Sequence, residues 1–150
     1  MKNDSALFYT CSLIELIGRM RRQPRSEVVR MLGHDTIRRI YTHADVFHSE
    51  PIEKTASEFI ELKNIPEGDF DNVARCRYLI PDYWTIGEVY ERLIEDTIGA
   101  KEADASEVTD TLMEVYSSWM DRALSNYNTD LYYQPRDYIS LCYREGQICA

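Results

Sequence analysis

The stretch ALFYTCSLIELIG, residues 6–18, is the longest apolar run in the chain, and it decides what kind of fold the sequence encodes. Its apolar residues recur at the three- and four-residue spacing of one helix face: Leu7, Cys11, Ile14 and Ile17, with Leu13 and Leu16 beside them. The run contains Glu15 and is too short to cross a bilayer, which needs about 20 apolar residues. We therefore predict a buried central helix over residues 5–22 and no membrane span.

Helix signals continue outward from this stretch. Pro24 cannot continue a helix interior, and Gly33, Gly99 and Gly146 stand where later helical patterns stop. Predicted helix starts are Ser49 as an N-cap with Pro51 in the first turn, and the capping boxes Thr85–Glu88 and Asp104–Glu107. The last box opens a long helix that extends to Tyr127. The sequence therefore predicts an all-α, single-domain helical bundle of about six to seven helices spanning residues 1–150.

Two stretches do not follow a helical pattern. The segment NIPEGDFDN, residues 64–72, is the strongest loop signal, and an internal boundary, if the domain has one, lies there. The segment VARCRYLIPDYW, residues 73–84, fits either a short strand or an irregular crossing that ends at Pro81.

The charge of the chain is unevenly distributed. The formal net charge is −9, yet residues 1–50 hold eight Lys+Arg against six Asp+Glu, so the acidic excess lies in the remainder. Because phosphate neutralisation supplies most of the affinity for nucleic acid, an acidic body makes nucleic-acid binding unfavourable. The same acidity leaves open an inhibitor that imitates nucleic acid and blocks a nucleic-acid enzyme.

The cysteines and glycines indicate neither a metal nor a cofactor. The four cysteines form no CxxC pair and are expected to be free thiols: Cys11, Cys76, Cys142 and Cys149. No glycine-rich phosphate-binding motif is present. With no leader of basic and then apolar residues, we expect a cytoplasmic protein without a bound cofactor or metal.

All three histidines lie in the window HDTIRRIYTHADVFHSEP, residues 34–51. His43 and His48 are five residues apart, and a regular helix does not place that pair on one face as metal ligands. A bend near Asp45 would let His43, Asp45 and His48 meet, which leaves open a small Cys/His hydrolase or transferase. The favoured interpretation is a structural junction, in which a buried His48 makes hydrogen bonds and Ser49 begins the next helix.

A helix-turn-helix is a further alternative. The stretch RSEVVRMLGHDTIRRIY, residues 25–41, reads as helix, glycine turn and helix, with Arg38 and Arg39 on the second helix. The first turn of that helix contains few side chains suited to reading bases, so DNA binding is the weaker hypothesis.

Tyrosines are abundant near the end of the chain. Tyrosine offers a large contact area at low entropic cost and is enriched at protein interfaces. The candidates for contact with a protein partner are Tyr127, Tyr132, Tyr133, Tyr138 and Tyr143. The alternative is that they cover the ends of the helical bundle.

Residues 6–62 also resemble a known family. The matching features are Phe8, Cys11 and Ile14–Glu15, then RSEVVRML, then YTHADVFHSEPIEKTASEFIE, in which Asp45, Val46, Phe47, His48 and Ser49 are the most distinctive. They resemble short helical bacterial proteins of unknown function that are often encoded beside ADP-ribosyltransferase-like toxin genes. The resemblance implies an accessory or antitoxin-like role, with Asp45, His48 and Ser49 as the family's landmark, and the segment from Phe70 onward lies outside it.

Together these observations favour a non-enzymatic, protein-binding accessory or antitoxin-like regulator. The expected partner is another protein, such as the product of a neighbouring toxin-like gene. The sequence leaves the oligomeric state open.

Overall fold

The computed structural model of the protein describes residues 4–149, and over that range it contains ten α-helices and no β-strand. The α-helices are α1 (Ser5–Arg21), α2 (Arg25–Leu32), α3 (His34–Thr42), α4 (Ala44–Phe47), α5 (Ile52–Leu62), α6 (Asn72–Arg75), α7 (Tyr83–Ile98), α8 (Ala105–Tyr116), α9 (Trp119–Leu124) and α10 (Arg136–Glu145). One 3₁₀ turn, Leu131–Tyr133, lies between α9 and α10. The all-α prediction is confirmed, and the predicted number of helices was too small.

The additional helices are short segments that the sequence pattern merged or missed. The long helix predicted from Asp104 is two helices, because Ser118 interrupts it. The Ser118 hydroxyl donates to the Val115 carbonyl at 2.6 Å and accepts from the Met120 amide at 3.3 Å. Helices α4 and α6, with four residues each, lie in stretches where no helix was expected.

Of the three predicted helix starts, one is present and two are replaced by other residues. The Asp104–Glu107 capping box is present as predicted. Helix α7 begins before Thr85, because the Asp82 side chain accepts from the Thr85 amide at 2.7 Å and is the actual cap. Ser49 is not the cap of α5, which begins after Pro51 without a side-chain cap.

Helix α1 is the centre of the fold, and its most extensive contact is with α7. It is buried continuously from Tyr9 to Gly18, which confirms the predicted central helix. Gly87 on α7 permits the close approach, since a Cβ atom there would lie 2.1 Å from the Ser12 Oγ and 2.8 Å from the Ser12 backbone nitrogen.

The remaining helices surround this pair. Helix α5 packs on α1, α3 packs on α8, and α10 packs on α7, so that one hydrophobic core includes residues from α1 to α10. The predicted loop 64–72 folds back on the end of α1, where the Gly68 amide donates to the Arg21 carbonyl at 2.8 Å and the Phe70 amide to the Arg22 carbonyl at 3.0 Å. Within residues 4–149, no helix combines the length and apolar character required of a membrane span.

Candidate interaction site

The five candidate tyrosines lie in different environments. Tyr127 is 2% exposed, whereas Tyr133 is 67% exposed. The other members of the group are half-buried: Tyr132, Tyr138 and Tyr143. The Tyr127 hydroxyl donates to the Glu15 carboxylate at 2.7 Å. Tyr127 therefore belongs to the core and offers a partner no surface, so of the five tyrosines Tyr133 alone is well exposed.

Tyr127 is part of a buried ion network centred on Arg25, the first residue of α2. The Arg25 guanidinium donates from Nε to Asp121 at 2.8 Å and from Nη1 to Glu15 at 2.6 Å. It also donates to the Tyr127 hydroxyl at 2.8 Å and to the Ser125 Oγ at 2.7 Å. This one side chain thus joins α1, α2, α9 and the loop that follows α9.

Both carboxylates of the ion network are matched by donors. Glu15 also accepts from Arg19 Nε at 2.7 Å, and Asp121 accepts from the Tyr90 hydroxyl at 2.5 Å. Burial by itself would raise the pKa of Glu15, but Arg25 and Arg19 outweigh it, and the pKa is lowered. Because these charges are neutralised by one another inside the core, we interpret the network as a structural junction.

The ion network also fixes the irregular crossing 76–81 between α6 and α7. Arg19 Nη2 donates to the Pro81 carbonyl at 2.7 Å, at the end of the crossing. Before the crossing, the side chain of Asn72, the first residue of α6, donates to the Ser125 carbonyl at 2.9 Å. The crossing is therefore attached to the core at both ends.

The middle of this crossing exposes three successive apolar side chains, which we call the apolar segment. Tyr78 is 66% exposed, Leu79 is 91% exposed and Ile80 is 46% exposed. Single exposed apolar residues are ordinary, whereas a contiguous exposed run is a mark of an interaction surface. The prediction of either a strand or an irregular crossing for residues 73–84 resolves into α6 followed by this segment.

Asn128 holds the backbone next to the apolar segment. Its side-chain oxygen accepts from the Arg77 amide at 2.8 Å, and its side-chain nitrogen donates to the Arg75 carbonyl at 3.1 Å. The Cys76 thiol lies 3.8 Å from the Tyr127 carbonyl oxygen. The apolar segment is thus presented on a backbone attached to the loop that follows α9.

A row of tyrosine rings leads from the core to the surface on the same loop. The rings of Tyr127 and Tyr132 are 5.8 Å apart, and those of Tyr132 and Tyr133 are 5.0 Å apart, both edge to face. Tyr133 lines a cleft of about 240 Å³ together with Val89 and Arg92 of α7. Tyr133 is therefore the tyrosine of this group that is best placed to contact a partner.

A second buried polar group lies on α7, where Glu91 and Glu95 are one turn apart. Glu95 accepts from the Asp4 backbone amide at 2.9 Å and from Arg136 at 3.4 Å. Burial, reinforced by the neighbouring Glu95, raises the pKa of Glu91 to about 8. Glu91 therefore holds a proton at neutral pH, in contrast to the ionised Glu15 of the ion network.

The histidine window is divided between different surroundings. His34 Nε2 lies 2.9 Å from Asp110 and joins α3 to α8. His43 is exposed at the junction of α3 and α4.

Asp45 and His48 line one groove, and Tyr9 of α1 forms part of its wall. His48 is exposed, so the expected buried histidine that holds the junction by hydrogen bonds is not found. Its ring instead lies edge to face against the Tyr9 ring at 5.3 Å. Ser49 donates to the Val46 carbonyl at 2.6 Å and closes the turn after α4.

The cysteines and histidines do not assemble into a catalytic arrangement among residues 4–149. All four cysteines are free. Cys11 is buried, and burial raises the pKa of its thiol, which disfavours the nucleophilic thiolate. The described part of the chain has no hydrogen bond between a cysteine and a histidine, and no group of three or more His, Cys, Asp or Glu residues arranged to hold a metal ion.

The structure also bears on the helix-turn-helix and nucleic-acid-mimic hypotheses. The helical hairpin proposed for DNA reading exists as α2 and α3, joined at Gly33 with φ of 81°, and Arg38 and Arg39 are exposed. For the nucleic-acid mimic, three carboxylates of residues 51–150 are buried and contribute to no acidic face: Glu91, Glu95 and Asp121.

Sequence reasoning did not identify the two features that define this region. Arg25 is one of the eight Lys+Arg of residues 1–50, and the sequence does not distinguish it from the others, because its partners are distant in sequence. The apolar segment had a signal in YLIP, residues 78–81, which is a short β-like run in a chain without another candidate strand. No family model, curated protein or solved structure matches the chain. The resemblance over residues 6–62 therefore stays a prediction.

Proposed function

We propose that the protein is a non-enzymatic, protein-binding accessory factor and that the apolar segment Tyr78–Ile80 is its main contact surface. The observation that supports this is that the side chains of the segment are exposed while the backbone on either side of it is held by hydrogen bonds. Leu79 is 91% exposed. The backbone before it is bonded to Asn128 and the backbone after it to Arg19. Covering such a run releases water from apolar surface and favours association.

The attached backbone reduces the entropic cost of binding. A flexible loop would lose conformational freedom on association, whereas a segment already held at both ends loses little. The backbone amides of Tyr78, Leu79 and Ile80 donate no hydrogen bond to residues 4–149. A partner can accept from those of these amides that face it, while its own apolar side chains cover Leu79.

The biological role that we propose is an accessory or antitoxin-like regulator in the bacterial cytoplasm. Its partner would be the product of a neighbouring toxin-like gene, as the resemblance over residues 6–62 implies. The surface lies outside residues 6–62, so binding would use a part of the chain that the resemblance does not cover.

The experiment compares two exposed leucines. Leu79→Ser removes the centre of the apolar segment, and Leu62→Ser is the matched control, because Leu62 at the end of α5 is 59% exposed. Binding of each variant to the products of the genes adjacent to its own is measured by isothermal titration calorimetry. We expect Leu79→Ser to weaken binding by about tenfold or more and Leu62→Ser to leave it unchanged. Asn128→Ala should weaken binding to a smaller extent, because it frees the backbone while keeping the apolar side chains.

Three results would overturn the proposal. One is the absence of binding by any neighbouring gene product at about 10 μM. Another is equal weakening by the two serine variants, which would place the contact elsewhere. The third comes from light scattering of the free protein: a wild-type dimer that Leu79→Ser converts to a monomer would show that a second copy covers the apolar segment.

A further inference from the structure

The groove that contains Asp45 and His48 has an unusual lining. It lies between the beginning of α1, the end of α3 and α4, and has a volume of about 590 Å³. Four aromatic rings line it: Phe8, Tyr9, Tyr41 and His48. We call this feature the aromatic groove. The Trp84 ring of α7 extends the aromatic cluster, at 5.4 Å from Phe8 and 6.4 Å from His48.

The charges around the aromatic groove are negative. Asp45 lines it, is exposed, and has no ion pair with any basic side chain in residues 4–149. Of the described residues that line the groove, none is a lysine or an arginine. An exposed carboxylate beside aromatic side chains is a favourable environment for a positively charged group.

Tyr41 makes the aromatic groove more attractive to a cation. Its hydroxyl donates to the Asp4 carboxylate at 2.6 Å, which increases the electron density of the ring. Burial raises the pKa of Tyr41, and the nearby carboxylates of Asp4 and Glu95 raise it further. Asp4 itself is occupied as the cap of α1, accepting from the Ala6 and Leu7 amides, so its charge is fixed in this position.

We infer that the aromatic groove binds an arginine side chain of the protein partner, with the guanidinium stacked on the rings and paired with Asp45. A guanidinium is planar, stacks on aromatic faces and forms two parallel hydrogen bonds to a carboxylate. The exposure of both Asp45 and His48 gives a side chain from another surface access to the groove. The inference deepens the proposed function, since it specifies a basic residue on the partner in addition to an apolar surface.

The position of Trp84 links the aromatic groove to the apolar segment. Trp84 lies in the first turn of α7, four residues after Ile80, and its ring contacts Phe8 of the groove. A partner that covers the apolar segment can therefore also reach the aromatic groove along the beginning of α7.

The test uses small probes, so that it does not depend on finding the partner. N-acetyl-arginine amide is titrated into the full-length protein, and N-acetyl-citrulline amide is the neutral control of the same shape. Binding is followed by the fluorescence of Trp84 in a Trp119→Phe background and by NMR shifts of the groove residues. We expect arginine amide to bind about tenfold more tightly than citrulline amide, from the loss of the charge over the rings and at Asp45.

Matched variants locate the binding. Asp45→Asn should weaken binding of the arginine amide several-fold. Asp69→Asn is the control, because Asp69 is also exposed and lies outside the groove lining, and it should have no effect. Phe8→Leu, which removes a ring without changing charge, should also weaken binding.

Three outcomes would overturn the inference: equal binding of the arginine and citrulline amides, equal effects of the two asparagine variants, or tighter binding of spermidine than of arginine amide. The last would identify a site for free polyamines. Leu79→Ser should bind the arginine amide like the wild type. Failure of the groove and failure of the apolar segment can therefore be distinguished.

Discussion

The buried ion network and the apolar segment depart from the usual distribution of residues in opposite ways. The network buries charged side chains, whereas the segment exposes apolar ones. The network places Arg25, Glu15 and Asp121 in the core, each 3% exposed, and matches every charge with a partner. The apolar segment places Leu79 in solvent and covers it with nothing in the described chain. The side chains of the network contact one another, whereas those of the apolar segment are free to contact another molecule.

The contrast separates stability from function. Removing a member of the ion network leaves buried charge without compensation, which is costly to the folded state. Removing a side chain of the apolar segment takes away surface that is already in water, so the free energy of unfolding should change little. The two regions are nevertheless connected, because Arg19 bonds to both Glu15 and the Pro81 carbonyl.

The largest expected effect comes from breaking the ion network. Arg25→Ala leaves Glu15 and Asp121 buried without their common partner, and we expect a loss of about 3–5 kcal/mol in the free energy of unfolding. Urea denaturation measures it. Arg30→Ala on the same helix is the control, since Arg30 is exposed and its ion pair within residues 4–149 is with Glu27. An Arg25→Ala protein as stable as the control would show that the buried charges do not depend on Arg25.

An intermediate effect should come from the uncompensated carboxyl group of Glu91. Its pKa is raised from 4.5 to about 8 in the folded protein. The folded state therefore holds a proton that the unfolded state releases between these values. The free energy of unfolding should fall as the pH rises from about 4.5 to about 8, because over this range the unfolded state binds fewer protons.

The variant Glu91→Gln tests this pH dependence, because it keeps the hydrogen-bonding side chain and cannot ionise. Its free energy of unfolding, measured by urea denaturation over the same pH interval, should decline less steeply than that of the wild type. Glu61→Gln is the control, because Glu61 is exposed on α5 and is not among the charges that raise the pKa of Glu91, and it should decline like the wild type. Parallel wild-type and Glu91→Gln curves would contradict a protonated Glu91.

The smallest expected effect is that of Leu79→Ser on stability. Because Leu79 is already in solvent, we expect a change in the free energy of unfolding within about 0.5 kcal/mol. Leu93→Ser, at a buried leucine of α7, should instead destabilise by several kcal/mol through the cavity and the unpaired hydroxyl. A large loss for Leu79→Ser in thermal or urea denaturation would assign the apolar segment to the core and remove the contrast.

The sequence predicted features that depend on near neighbours. The central helix, the all-α class and the Asp104–Glu107 cap depend on residues within a few turns, and each is present. The features that were missed depend on distant partners. Arg25 resembles any surface arginine until Asp121 and Tyr127 are brought to it. Tyr127 resembles an interface tyrosine for the same reason, since tyrosine suits both a core with a hydrogen-bond acceptor and a contact surface.

The partners of Arg25 have a consequence for when the chain can fold. Asp121 and Tyr127 follow Arg25 by 96 and 102 residues. During synthesis the ribosome releases Arg25 long before either of them, and until then its guanidinium must remain hydrated. The N-terminal third is therefore expected to stay open on the ribosome and to close only when most of the polypeptide has emerged. A fragment limited to residues 6–62 would stay open in the same way, because Glu15 and Arg25 would lack the other members of the ion network.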